Sequence, residues 1–230
     1  MNFRSLLIVP LAALVLSAGA TGLPMPDGWM TARYATLLNV PTGGYSGDGY
    51  EIGIDTSISG GLPSLTIRSI APLKKDLPAV GHAYQTVTGY AGQRVRFSGQ
   101  VRAEAASAWA GLYLGLGEND VLMPVTMGQA GVEKKLPAGA AVPAADGVWR
   151  EVSVVMDVPA DAPFLTLGAA QVGEGQVWVR DLKFEVVGPE VPPTTATVGI
   201  DWAQARRFHA QARENIARIS PQPLRNAALD

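Results

Sequence analysis

From Gln93 to Ala103 the chain alternates residue by residue between two chemistries. Val95, Phe97, Gly99, Val101 and Ala103 fall on one side, and Arg94, Arg96, Ser98, Gln100 and Arg102 on the other. A helix cannot sort these residues, because its period of 3.6 would scatter the arginines around the whole circumference. A strand can, since successive side chains point to opposite faces. One face is then apolar and the other charged, which is the pattern of an antiparallel strand that covers a core on one side. A chain containing this segment has to build layers of sheet.

The same signal recurs from Tyr50 onward. Tyr50–Ile54, Ser64–Ile70 and Tyr84–Thr88 are short runs with β-branched residues, and the turn Gly89-Tyr90-Ala91-Gly92 follows the third. In Trp109–Leu116 the leucines Leu112, Leu114 and Leu116 share one face, and Trp109, Gly111 and Tyr113 the other. Trp149–Val158 is in phase at Val152, Val154, Met156 and Val158, and Phe164–Ala170 follows the turn at Pro159–Ala162. Gln176–Val187 is apolar at odd positions (Val177, Val179) and then at even ones (Leu182, Phe184, Val186). A change of phase within one strand predicts a β-bulge, here near Arg180-Asp181. Residues 117–147 read as one long excursion, with Val121–Met127 as a short strand inside it. Eight or so strands with turns between them, and nothing resembling alternating strands and helices, predict an all-β antiparallel sandwich. The content of 26 Gly and 17 Pro suits its many turns, and 47% hydrophobic residues in 230 suffice for a core.

The two ends read differently. Arg4, the apolar run Leu6–Leu16 and Ala18-Gly19-Ala20 have the layout of an export signal over residues 1–20, too short for a bilayer-spanning helix. Residues 21–188 are the sandwich domain, and 189–198 a Pro/Thr linker that its prolines extend. The remainder, 199–230, is a C-terminal helix and tail. Asp201 caps this helix with Gln204 in capping-box position, and Ala205, Phe208, Ala212, Ile216 and Ile219 form its apolar stripe. The expected location is periplasmic or secreted, with no membrane span after signal cleavage.

Composition and motifs exclude several chemistries. The net charge is −2 with the two signs interspersed, so no basic stripe points to a nucleic acid. No cysteine is present, which removes disulfides, thiol nucleophiles and thiolate metal sites. His82 and His209 have no metal spacing, and no Gly-x-Ser-x-Gly elbow occurs. The glycine-rich segment 43–49 lacks the lysine of a phosphate loop. Glu118, Asp120, Glu174 and Asp181 lie at turns or strand ends, where solvated acids belong, rather than forming a glycosidase pair. The expectation is a protein that is not an enzyme.

Several segments, in order, resemble the carbohydrate-binding-module-like jelly rolls of the broad galactose-binding-like group. Gln85–Arg102 (QTVTGYAGQRVRFSGQVR) resembles that group's hairpin of strand, Gly turn and Arg-Val-Arg strand. Trp149–Val152 with Val158–Ala162 resembles its "Trp, strand, Val-Pro-x-Asp-Ala" element, and Gly175–Leu182 its closing strand. Gly28-Trp29 and Tyr50–Asp55 stand where its opening Trp and first Tyr-x-x-Gly-x-Asp strand stand. The resemblance covers about 25–188 and implies a jelly-roll sandwich that binds a glycan. Members of that group often carry a structural calcium ion, but the expectation for this sequence is no cofactor. Of the residues such an ion needs, this sequence matches only Asp181; the opening Asn-Gly-x-Phe-Glu is absent, and Arg180 stands where a second Asp is common.

A pyranose has an apolar C–H face and a rim of hydroxyls, so a site for it pairs flat aromatics with amide and guanidinium groups. If the strands at Gln93–Ala103 and Trp109–Leu116 are neighbours with their aliphatic faces in the core, Arg96, Gln100, Arg102, Trp109 and Tyr113 share one outer surface. That surface is the candidate ligand site; the competing reading is that Trp109 and Tyr113 lie under the C-terminal helix or the 117–147 excursion and are core. Trp149 and Trp178 are expected in the core, because the resemblance places both in the framework. The alternative reading is a structural or protein-interaction accessory domain of the cell envelope, with an envelope protein as partner and the arginine-bearing C-terminal helix as a docking element; a hydrolase is the second alternative.

Overall fold

The computed structural model describes residues 22–34, 49–58, 60–70, 80–106, 109–115, 146–194 and 223–230. The export signal, the strand at Val121–Met127, most of the 117–147 excursion, and the C-terminal helix at 201–219 lie outside the described residues.

Among the described residues nine strands form two antiparallel sheets. They are β1 Met30–Tyr34, β2 Tyr50–Asp55, β3 Ser64–Ser69, β4 Val80–Val87, β5 Arg94–Glu104, β6 Trp109–Gly115, β7 Arg150–Asp157, β8 Leu165–Val172 and β9 Gln176–Val186. The four-stranded sheet runs β1-β4-β8-β6 and the five-stranded sheet β2-β3-β9-β5-β7. From β4 onward every connection passes to the opposite sheet, so sequence neighbours face each other across the core. This is the all-β jelly-roll sandwich that the alternation and the resemblance predict.

The core forms where the alternation places it. Val95, Phe97, Val101 and Ala103 of β5, Val177 and Val179 of β9, and Leu65 and Ile67 of β3 are buried from the five-stranded side. Ala83 and Val87 of β4, Leu165 and Leu167 of β8, and Leu112 of β6 close on them from the other side. Gly81 belongs to this inner face, since a Cβ there would meet Tyr50 and Ile67. Burying one such aliphatic or aromatic side chain contributes about 1.5–3 kcal/mol, so this layer dominates the stability.

The bulge also lies where the phase changes. Ser98 pairs with Lys183 and Gln100 with Arg180, so one residue of β5 faces two of β9. The extra residue is taken up at Asp181, whose φ of 53° is left-handed. Strand β1 was not expected: its Met30, Ala32 and Tyr34 alternate over only five residues within a Gly/Pro-rich stretch.

Both described tails lie against the sandwich. Thr194 exchanges hydrogen bonds with β7, its amide donating to Val155 O at 2.9 Å and its hydroxyl accepting from Val155 N at 2.9 Å. At the far end of the chain Leu229 is fully buried within the core cluster.

Candidate functional site

The expected ligand surface divides in two. β5 belongs to the five-stranded sheet and β6 to the four-stranded one, so Arg96, Gln100 and Arg102 cannot share a face with Trp109 and Tyr113. The physical reason is the jelly-roll connection: consecutive strands β5 and β6 pack across the core rather than pairing edge to edge.

On the outer face of the four-stranded sheet, Trp109, Tyr113, His82 and Tyr84 form an aromatic group over a floor of small residues. Gly111, Gly168 and Ala170 pair across β6, β8 and β4 beneath them. His82 Nδ1 lies 2.9 Å from the Tyr113 hydroxyl, and the His82 ring stacks on Tyr84 at 5.0 Å. All four rings are buried; Trp109 is 5% and Tyr113 3% exposed. Burial pushes the His82 pKa down to about 4, so the ring is neutral near neutrality. Trp109 and Tyr113 are packing residues here, so of the two readings left open for them it is the core placement, not the open ligand surface, that their burial fits.

The outer face of the five-stranded sheet carries the three polar residues, with aromatic partners that the sequence reading assigned to the core. Arg102 pairs in register with Trp178, and its guanidinium lies 5.4 Å from that indole's centroid. Gln100 pairs with Arg180, whose guanidinium stacks on Trp149 at 4.3 Å. Trp178 is buried, yet it lies outside the hydrophobic core cluster, and Trp149 is half-buried. Alternation alone would have found both: Trp178 sits between the inward Val177 and Val179, and Trp149 is out of phase with Val152 and Val154.

This face is held in place by its neighbours. Trp178 donates its indole N–H to Asp55 at 2.9 Å. Partial burial works against ionisation of Asp55, but hydrogen bonds from the Ser57 hydroxyl, Trp178 and the Ser57 amide, with Arg68 nearby, hold its carboxyl below the usual range. Arg102 is paired with Glu104, and Arg150 with Asp146 at 2.6 Å. The Arg150 hydrogen bond holds the Asp146 carboxyl down to about 2. Asp146 bridges to Glu104, which brings the turn before Trp149 beside Arg102. Two guanidinium nitrogens, Nε of Arg102 and of Arg180, are buried without a hydrogen-bond partner. Arg96 stands apart from this group, engaged by Glu185 at 2.8 and 3.0 Å.

Asp181 does not fit a calcium site. Its carboxylate is exposed at the bulge, with Arg180 Nε 3.6 Å away. Among the described residues no cluster of three or more acidic or histidine side chains could hold an ion. Calcium needs six to eight oxygen ligands, and a neighbouring guanidinium opposes a cation.

No protein-family model and no curated protein matches the chain. Solved structures do. Several of them are carbohydrate-binding modules. The CBM22-1 xylan-binding domain of Paenibacillus barcinonensis Xyn10C is 14% identical with a TM-score of 0.39, over 71% of this chain and 88% of that one. A family 22 module of Clostridium thermocellum Xyn10B is 12% identical with a TM-score of 0.40, over 70% and 88%. The enzymatically active domain of bacteriophage CBA120 tailspike protein 4 is 11% identical with a TM-score of 0.44, over 70% of this chain. This chain spans a fifth of that domain's length.

Proposed function

We propose that the protein is an exported, non-catalytic binding module that takes a glycan on the outer face of its five-stranded sheet, on Trp149 with Gln100, Arg102 and Arg180 beside it. The observation that carries this reading is the half-buried Trp149 indole stacked against the Arg180 guanidinium, which pairs in register with Gln100 on the adjacent strand, while the buried Trp178 backs Arg102 from within. Indole supplies a flat apolar surface for the C–H face of a sugar, and the planar donors of arginine and glutamine match its hydroxyls. Stacking of each guanidinium on an indole fixes its orientation in advance, so less freedom is lost on binding.

The chemistry of the face suits binding better than bond cleavage. Of the acids on it, Glu104 and Asp146 are engaged by Arg102 and Arg150 and Asp55 accepts from Trp178, with Glu151 exposed beside Gln100, whereas a glycosidase needs two carboxyl groups free to flank one bond. His82 lies on the other sheet, buried and neutral, away from this surface.

The test is titration of the mature protein with a panel of xylan, β-glucan, galactan and chitin oligosaccharides by calorimetry and tryptophan fluorescence. Saturable binding that Gln100→Ala or Arg180→Ala weakens about tenfold, ~1.4 kcal/mol, supports the reading. A panel without a single binder, or unchanged affinity in both variants, sinks it. Export is tested separately: secreted protein should begin at Thr21.

A further inference from the structure

The segment Pro223–Asp230 occupies a built groove at the end of the sandwich where β1 begins. Pairing of β1 with β4 begins at Met30↔Tyr84, so Gln85 is the first β4 residue beyond it. Gln85 is 2% exposed on the inward side of its strand, and its amide takes both backbone groups of Arg225. Its Nε2 donates to Arg225 O at 2.6 Å, and its Oε1 accepts from Arg225 N at 3.0 Å. The Trp29 indole N–H donates to Asn226 O at 3.3 Å. Leu229 is 1% exposed in the core, and Leu224 and Ala227 pack against that core.

The segment is folded on itself as it docks. Asn226 donates to Asp230 O at 2.6 Å and accepts from Asp230 N at 3.0 Å, and Leu229 N donates to Asn226 O at 3.2 Å. Asn226 and Leu229 both have left-handed φ, at 45° and 66°. Leucine rarely adopts that region, so the groove sets the conformation rather than the segment's own preference. The groove reads backbone at Arg225 and Asn226 and side chain at the leucines, leaving Arg225, Ala228 and Asp230 exposed.

We infer that this groove is a peptide-recognition site for a Leu-x-Asn-x-x-Leu segment, filled in this chain by its own residues 224–229 and able to take the same segment from a second copy. The 28 residues between Thr194 and Pro223 could reach roughly 90 Å when extended, so the sequence separation does not oblige the segment to stay with its own sandwich. Recognition by backbone and apolar anchors is the usual means by which a groove captures an extended peptide.

The test uses the full chain with a protease site inserted between Thr194 and Pro223. After cleavage, the tail should co-elute with the sandwich and exchange with an excess of fluorescent synthetic peptide spanning 223–230. A peptide with Leu229→Asp should fail to exchange. In parallel, two differently tagged full-length copies concentrated together should form a mixed dimer that Leu229→Asp abolishes. Loss of the tail on cleavage from a sandwich that keeps its strand signal would overturn the inference. So would exchange that is indifferent to Leu229→Asp, or a tail that exchanges only after unfolding.

Discussion

Gln85 and Arg225, 140 residues apart, are joined as a peptide pair would be: the side-chain amide of the first takes the backbone N–H and C=O of the second. A glutamine facing the core of a sandwich would be costly without partners, and here the far end of the chain supplies them. The arrangement explains how a polar residue tolerates 2% exposure in β4.

It follows that Gln85→Ala should destabilise the fold by about 1–3 kcal/mol, since it strips two part-buried backbone groups of their partner. Arg225→Ala should lie within about 0.5 kcal/mol of the parent, because the bonds use only the backbone. Urea unfolding of both variants checks the contrast. Equal losses would mean that the arginine side chain, not the clamp, holds the segment.

The His82 ring predicts a pH dependence. Its pKa is pushed from 6.5 to about 4 by burial, so the folded state binds fewer protons than the unfolded state between those values. Stability from this group is complete above pH 6.5, falls as the pH drops toward 4, and levels off below it. The full effect is on the order of 3 kcal/mol. Asp146, Asp157 and Asp55 have lowered pKa values, so their losses come at more acidic pH. Denaturation midpoints at pH 7.5, 6 and 5 should therefore slope in the parent and flatten in His82→Gln. A slope unchanged by that substitution would assign the titration elsewhere.

The layers, the core positions and the bulge were legible because each rests on side-chain period, which is a local property. Val95 and Phe97 could face only one way once Arg94 and Arg96 faced the other. Which strands pair is not local. Trp109 and Gln100 looked like neighbours because their strands are consecutive, yet the chain crosses between sheets at that point. The misplacement of Trp149 has a different origin, since a large indole and framework position argued for the core against the alternation, whereas Trp178 is buried as expected, though on the outer side of its strand. The alternation was the better guide, as the polar Arg102 and Arg180 beside them attest.

The bulge makes its own prediction. Asp181 is a non-glycine residue at φ 53°, so Asp181→Gly should be neutral or stabilising by up to about 1 kcal/mol. Asp181→Val should cost about 1–2 kcal/mol, because a β-branched residue resists that conformation. Across the ladder, Gly99→Ala would place a Cβ 2.7 Å from Leu182 and 3.0 Å from Arg180 O, and should cost about 1–3 kcal/mol. Thermal melts of the three variants test the ranking. An Asp181→Gly variant clearly less stable than the parent would show that the carboxylate, not the backbone, maintains the bulge.

The ligand proposal stands or falls on two tryptophans. Trp109 is 5% exposed within the core cluster, so Trp109→Ala should destabilise by about 3–5 kcal/mol through the cavity it leaves. Trp149 is half-buried, and its identified partner is the Arg180 guanidinium, a contact of about 0.5–1 kcal/mol, so Trp149→Ala should be much milder. For glycan affinity the order should reverse. Under conditions where both variants are folded, Trp149→Ala should lose about tenfold or more, and Trp109→Ala should bind as the parent does. If affinity instead follows stability, with Trp109→Ala the weaker binder, the aromatic face of the four-stranded sheet is the one that meets the ligand. The guanidinium–indole pairs would then be surface packing alone.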